Sequence, residues 1–199
     1  MQALCLAIKV HMGWINCAVV RCGFKWPEIA RLERLDLDPD GDRELLEPWH
    51  VAAGWQGLER VAPAPDPAAV VARGLALQQT ALERALERLR EALAADGGDL
   101  QQGVVLKGRG LLLGLEDGLS SHSHVHVAEG ESVRSASRAA LTALGIPWVD
   151  QDEKSIPNAA AARLGVPDAD VWMKEHRPAG LRKFSKEERL VALGAWLHA

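Results

Sequence analysis

The densest run of chemically capable side chains is Ser121-His122-Ser123-His124-Val125-His126-Val127-Ala128-Glu129-Gly130. On a helix, His122, His126 and Glu129 stand at i, i+4 and i+7 and share one face. Two imidazoles and a carboxylate on one face form a ligand set for a divalent transition metal, the cofactor of an active metal-dependent hydrolase or nuclease. On a strand, His122, His124 and His126 would share a face instead. Helical continuity through Arg134 to Leu141 favours the first geometry. The plainer alternative makes the histidines polar residues near a helix start, with Glu129 paired to Arg134 or to a lysine. Gly130 inside that helix costs about 1 kcal/mol relative to alanine and marks a close backbone approach.

A second set is cationic. Lys9 closes the apolar run Ala3-Leu4-Cys5-Leu6-Ala7-Ile8, and Lys107 closes Gly103-Val104-Val105-Leu106. Each reads as a strand-end lysine that carries its charge to solvent or as part of a cationic edge with Arg109. Lys107-Gly108-Arg109-Gly110 is a cationic turn able to touch phosphate, but it lacks the rest of a P-loop. Lys174, His176, Arg177, Arg182, Lys183, Lys186 and Arg189 make the C-terminal segment basic, with Trp172 and Phe184 nearby. Cations beside aromatics suit nucleic acid; a solvated face diluted by Glu175, Glu187 and Glu188 is the ordinary reading. No Ser-His-Asp or Cys-His order stands out, and nothing local joins His50 to Cys22.

The elements that position these groups follow from periodicity and punctuation. Residues 3–10 and 14–22 read as strands joined by a turn at Met12-Gly13, and residues 28–37 as a third, ended by Asp38-Pro39-Asp40-Gly41. Residues 43–62 read as a small helical insertion. Asp66-Pro67 starts a long helix to about Ala95, with Val70, Leu75, Leu82, Leu86, Leu89 and Leu93 on its inner stripe. A strand at 103–107, a loop through Asp117-Gly118 and a helix from Ser120 or Ser121 to Leu144 follow. Residues 147–149 read as a strand and 158–164 as a short helix. Ser185-Lys186-Glu187-Glu188 is a capping box for a final helix to His198. Three antiparallel strands followed by alternating helices and strands make a mixed α/β sheet of about five strands, in one domain over residues 1–199.

The 199 residues carry a net charge of -4, which argues against a generally basic nucleic-acid coat. No apolar run approaches a membrane span, and no secretory signal is read. Cys5, Cys17 and Cys22 are odd in number and lie in or near strands, which points to reduced core residues of a cytoplasmic protein.

The order of elements resembles the ribonuclease H-like fold, and most closely its RuvC-type resolvase branch. Leu6-Ala7-Ile8-Lys9 with the Gly13-Trp14-Ile15 hairpin resembles that family's first strand and turn. Val104-Val105-Leu106-Lys107 resembles its fourth strand, and Gly145-Ile146-Pro147-Trp148-Val149 its fifth. In those nucleases the first strand ends in Asp and the fourth in Glu, which together hold magnesium. Lys9 and Lys107 stand at those positions, and an ammonium has no lone pair for a metal. The resemblance therefore implies a catalytically degenerate protein with no cofactor. Lys9, Lys107, Arg109, Arg182 and Lys183 would contact a nucleic acid or a protein partner, with Glu129 as counter-ion. Two other readings stand beside it: the hydrolase using His122, His126 and Glu129, and a purely structural subunit of a complex. The resemblance also predicts that Lys9 and Lys107 lie together, and that Lys9→Asp with Lys107→Glu regains Mg²⁺ binding, a third acid coming from Glu187 or Glu188.

Overall fold

The computed structural model describes residues 1–37, 41–108, 113–181 and 183–199. Its centre is a five-stranded mixed sheet. Strands β1 (Gln2–Val10), β2 (Trp14–Arg21) and β3 (Ile29–Asp36) form an antiparallel meander. Strands β6 (Gly98–Lys107) and β7 (Trp148–Asp152) extend it parallel to β1, giving the order β3-β2-β1-β6-β7. This is the mixed sheet of five strands anticipated from the element order. β6 begins five residues before the expected Gly103, because its first residues pair with the start of β1.

Helices cover both faces of the sheet. α3 (Pro67–Ala95) and α5 (His122–Ala143) pack on one, burying Leu82, Leu86, Leu89, Val133 and Leu141 against Leu4, Leu6, Ile8 and Val105. Asp66 caps α3 by accepting from the Ala69 N–H, and Ser121 caps α5 by accepting from the His124 N–H. On the other face lie α6 (Ile156–Leu164), α7 (Ala169–Glu175) and α8 (Lys186–Leu197). There Ile156, Met173, Leu193 and Trp196 meet Cys5, Ala7, Val104 and Leu106. The capping box at Ser185 and Glu188 opens α8. The buried Arg189 joins α8 to α7 through Asp170, 2.5 Å away. Among the described residues no helix is long and apolar enough to cross a membrane.

The segment expected to be a small helical insertion contains two short helices, α1 (Arg43–Leu46) and α2 (Pro48–Ala53), and also a minimal hairpin of β4 (Trp55–Gln56) with β5 (Glu59–Arg60). The loop expected through Asp117-Gly118 is a short helix, α4 (Leu115–Leu119), and α7 was not anticipated. Two glycines let α2 dock. A Cβ at Gly74 of α3 would stand 2.2 Å from Pro48 Cβ and 2.6 Å from the Glu44 carbonyl oxygen, and one at Gly118 would stand 2.5 Å from the Trp49 ring. Trp49, Ala52 and Ala53 thereby bury against Val70, Val71, Val125 and Ala128.

Gly74→Ala should therefore reverse the usual effect of that change. On an unencumbered helix it would gain about 1 kcal/mol; here overpacking should cost about 1–3 kcal/mol. Denaturant unfolding of the two proteins measures the sign.

Candidate functional site

Successive strand residues point to opposite faces. Along β1, Leu4, Leu6 and Ile8 face α3 and α5, and Cys5 and Ala7 face α6 to α8. Lys9 therefore falls on the α8 face. Along β6, Val105 shares the first face and Val104 and Leu106 the second, so Lys107 falls on the α3/α5 face. The two lysines end adjacent parallel strands at the same end of the sheet, as expected, but their side chains leave opposite faces. Continuing the Ile8–Val105 register places Leu106 beside Lys9. Leu106 is buried and reaches α8 at Gly194.

Lys9 donates to Glu153, just after β7, at 2.6 Å. Both side chains are partly shielded, at 19% and 24% exposure, so the pair is less screened than a surface ion pair. The Glu153 N–H in turn donates to the Lys107 carbonyl. Lys9 thus takes Glu153, and not Glu129, as its counter-ion. The Lys107 side chain is exposed and has no ion pair among the described residues. Lys183 is exposed; Arg109 and Arg182 lie outside the described residues. Of the two acids considered on the final helix, Glu187 accepts from Asn16 and from His11 at 2.7 Å, and Glu188 is engaged in the capping box.

The histidine run is helical from His122, so His122 and His126 do share a face and stand with ring centres 4.5 Å apart. His124 turns away and meets Ser120 and the Asp117 carbonyl. His50 of α2 joins the pair, its ring centre 5.6 Å from His122 and 4.6 Å from His126. One nitrogen of each of the three rings lies within 4.8 Å of the others. Trp55 tilts over His122 at 4.4 Å. His122 Nε2 is buried with no hydrogen-bond partner among the described residues. Burial, followed by the neighbouring His50 and His122, lowers the pKa of His126 and favours its neutral form.

Glu129 is buried behind this group. Its Oε2 accepts from the N–H groups of Trp49 and His50 and from His50 Nδ1 at 3.1 Å. The first turn of α2 has no side-chain cap of its own, so Glu129 supplies one from α5. Burial raises the Glu129 pKa, and the bonds from His50 and Trp49 oppose that rise. Glu129 Oε1 is buried and unpartnered among the described residues. A Cβ at Gly130 would meet nothing nearer than the Arg134 guanidinium at 3.4 Å, so the expected close backbone approach is absent there.

The sequence pairing of His122 with His126 was legible from spacing alone. His50 was missed, since nothing in the sequence ties an isolated histidine in residues 43–62 to a helix so far along the chain. All three cysteines are free thiols, and burial pushes the Cys5 pKa up to about 12.

No family model matches the chain, and no curated protein matches it. Among solved structures, it is similar to Thermus thermophilus RuvC in complex with a Holliday junction substrate. That likeness has a TM-score of 0.49 at 10% identity and covers 98% of this chain and 92% of that one. It is also similar to a second Thermus thermophilus RuvC structure, with a TM-score of 0.42 at 11% identity, covering 100% of this chain and 92% of that one.

The opposed faces change what an introduced acid pair would do. Lys9→Asp puts a carboxylate beside Glu153, which should cost about 1–3 kcal/mol without metal. Mg²⁺ should recover stability through those two groups. Lys107→Glu should add nothing to the Mg²⁺ response, and Glu153→Gln should abolish it. Melting temperatures with and without Mg²⁺ decide; a response that needs Lys107→Glu would contradict the facial assignment.

Proposed function

We propose that this chain is a ribonuclease H-like protein that binds nucleic acid without cutting it at the strand ends. The observation that carries this reading is the Lys9–Glu153 ion pair at 2.6 Å, standing at the end of the central strand. A two-metal nuclease needs carboxylates on neighbouring strand ends. Here the neighbouring residues on the relevant face are an ammonium and the buried Leu106. The positive charge would repel a divalent cation, and the carboxylate paired with it already holds a partner.

Binding rests on the exposed cations near this end and before the final helix. Lys107 and Lys183 have no ion pair among the described residues, so their ammonium groups are available to phosphate. The negative net charge argues against contact over a generally basic surface and leaves it to local cations. Attachment through a few lysines is electrostatic and weakens as salt rises.

Fluorescence anisotropy with labelled duplex and four-way junction DNA, run across a salt series, tests the reading. The affinity should fall log-linearly with salt, and Lys107→Ala or Lys183→Ala should reduce the slope by about 1 each. The DNA should stay intact in Mg²⁺ or Mn²⁺. Metal-dependent cutting removed by Glu153→Gln would overturn the reading, and the absence of any salt-sensitive binding would favour a structural subunit.

A further inference from the structure

We propose that His50, His122 and His126 form a three-histidine site for a zinc-type transition metal, with Glu129 as the residue that positions His50 and a fourth coordination position left to water. The site is built by α2 and α5 on the α3/α5 face of the fold, opposite the face on which Lys9 falls, and does not depend on the nucleic-acid reading.

The donor set selects the metal. Three imidazoles suit zinc and its first-row neighbours, whereas magnesium and calcium want oxygen. His122 and His126 are held one helical turn apart on α5, and His50 is brought to them by α2. Zn–N bonds of about 2.0–2.1 Å place tetrahedral ligand atoms about 3.4 Å apart. The three nitrogens already lie within 4.8 Å of one another, so small side-chain rotations close the shell.

Two further observations point at a ligand. His122 Nε2 is buried without a partner, although buried polar atoms ordinarily have one. His50 is also set up as a metal ligand by what stands behind it. Where Glu129 is ionised, its Oε2 accepts a hydrogen bond from Nδ1–H, which fixes the tautomer and leaves the Nε2 lone pair free for a metal. A carboxylate behind a ligating histidine orients the ring and raises its basicity. Glu129, considered from sequence as a ligand, is occupied through Oε2 by three donors and acts through His50 instead.

One of the three ligands also reaches a solvent-accessible cavity. His126 is the most exposed of the three, and it lines a cavity of about 180 Å³ together with His11, Glu129, Gly130 and Arg134. Three protein ligands with access to solvent is the pattern of an open zinc site and differs from a closed structural one.

Titration of the metal-free full chain with Zn²⁺ by calorimetry, with Co²⁺ as a spectroscopic probe, tests the proposal. One Zn²⁺ per chain should bind, and Co²⁺ should give the intense visible bands of a four-coordinate site. His126→Ala alters an exposed residue and should fold; it should weaken Zn²⁺ binding by at least about 100-fold, above the range for loss of an outer partner. His124→Ala should leave binding unchanged. Glu129→Gln should keep one metal, bind it about 10–100-fold more weakly and shift the Co²⁺ spectrum. The site is overturned if folded wild-type protein takes up no stoichiometric Zn²⁺, or if His124→Ala costs as much as His126→Ala, which would make the run a flexible chelator. The positioning role is overturned if Glu129→Gln, or Glu129→Asp where the first does not fold, binds as tightly as wild type with an unchanged spectrum.

Discussion

The central strand β1 is covered on both faces, and its two-residue alternation sorts the rest of the molecule. Leu4, Leu6 and Ile8 commit one face to α3 and α5, and Cys5 and Ala7 commit the other to α8. A one-residue slip would exchange these sets and place every side chain in the wrong layer. Lys9 is thereby held on the α8 side, where Glu153 from the end of β7 meets it. The parallel register with β6 fixes its neighbour as Leu106 and turns Lys107 to the opposite side. The character of the strand end is a consequence of this register as much as of residue type.

On the opposite side the organising group is Glu129. A carboxylate this deeply buried is costly unless its oxygens are satisfied. It resolves part of that cost by capping α2 and by accepting from His50, the only ring among the three histidines with which it hydrogen-bonds. The same three bonds fasten Trp49 and His50 to α5, and Gly74 and Gly118 provide the space that lets α2 reach that position. Removing side-chain volume at two glycines and placing one acid in the core thus bring His50 to His122 and His126. The insertion is built into the site and is not an ornament on the sheet.

Much of this was legible in the sequence. Asp66-Pro67, Ser121 and the Ser185–Glu188 box mark helix starts through capping chemistry that acts locally, and all three open helices where expected. The adjacency of β1 and β6 was expected from the family resemblance drawn on the order of elements, and the two strands do pair. The facing of Lys107 did not, because Val104-Val105-Leu106 is a strand buried on both sides and its continuous apolar run carries no alternation to read. Asp168, which caps α7 by accepting from the Asp170 and Val171 N–H groups, was a local signal passed over amid the surrounding charges. His50 and the ion pair of Lys9 with Glu153 are contacts between distant segments, and neither composition nor spacing encodes them.

Anomalous diffraction from crystals of the wild-type protein soaked separately in Zn²⁺ and Mn²⁺ would examine both ends of this account at once. The account predicts one zinc peak bonded to His50, His122 and His126, and no peak of either metal between Lys9 and Glu153. A manganese peak at the ends of β1 and β6, with the histidines empty, would contradict it.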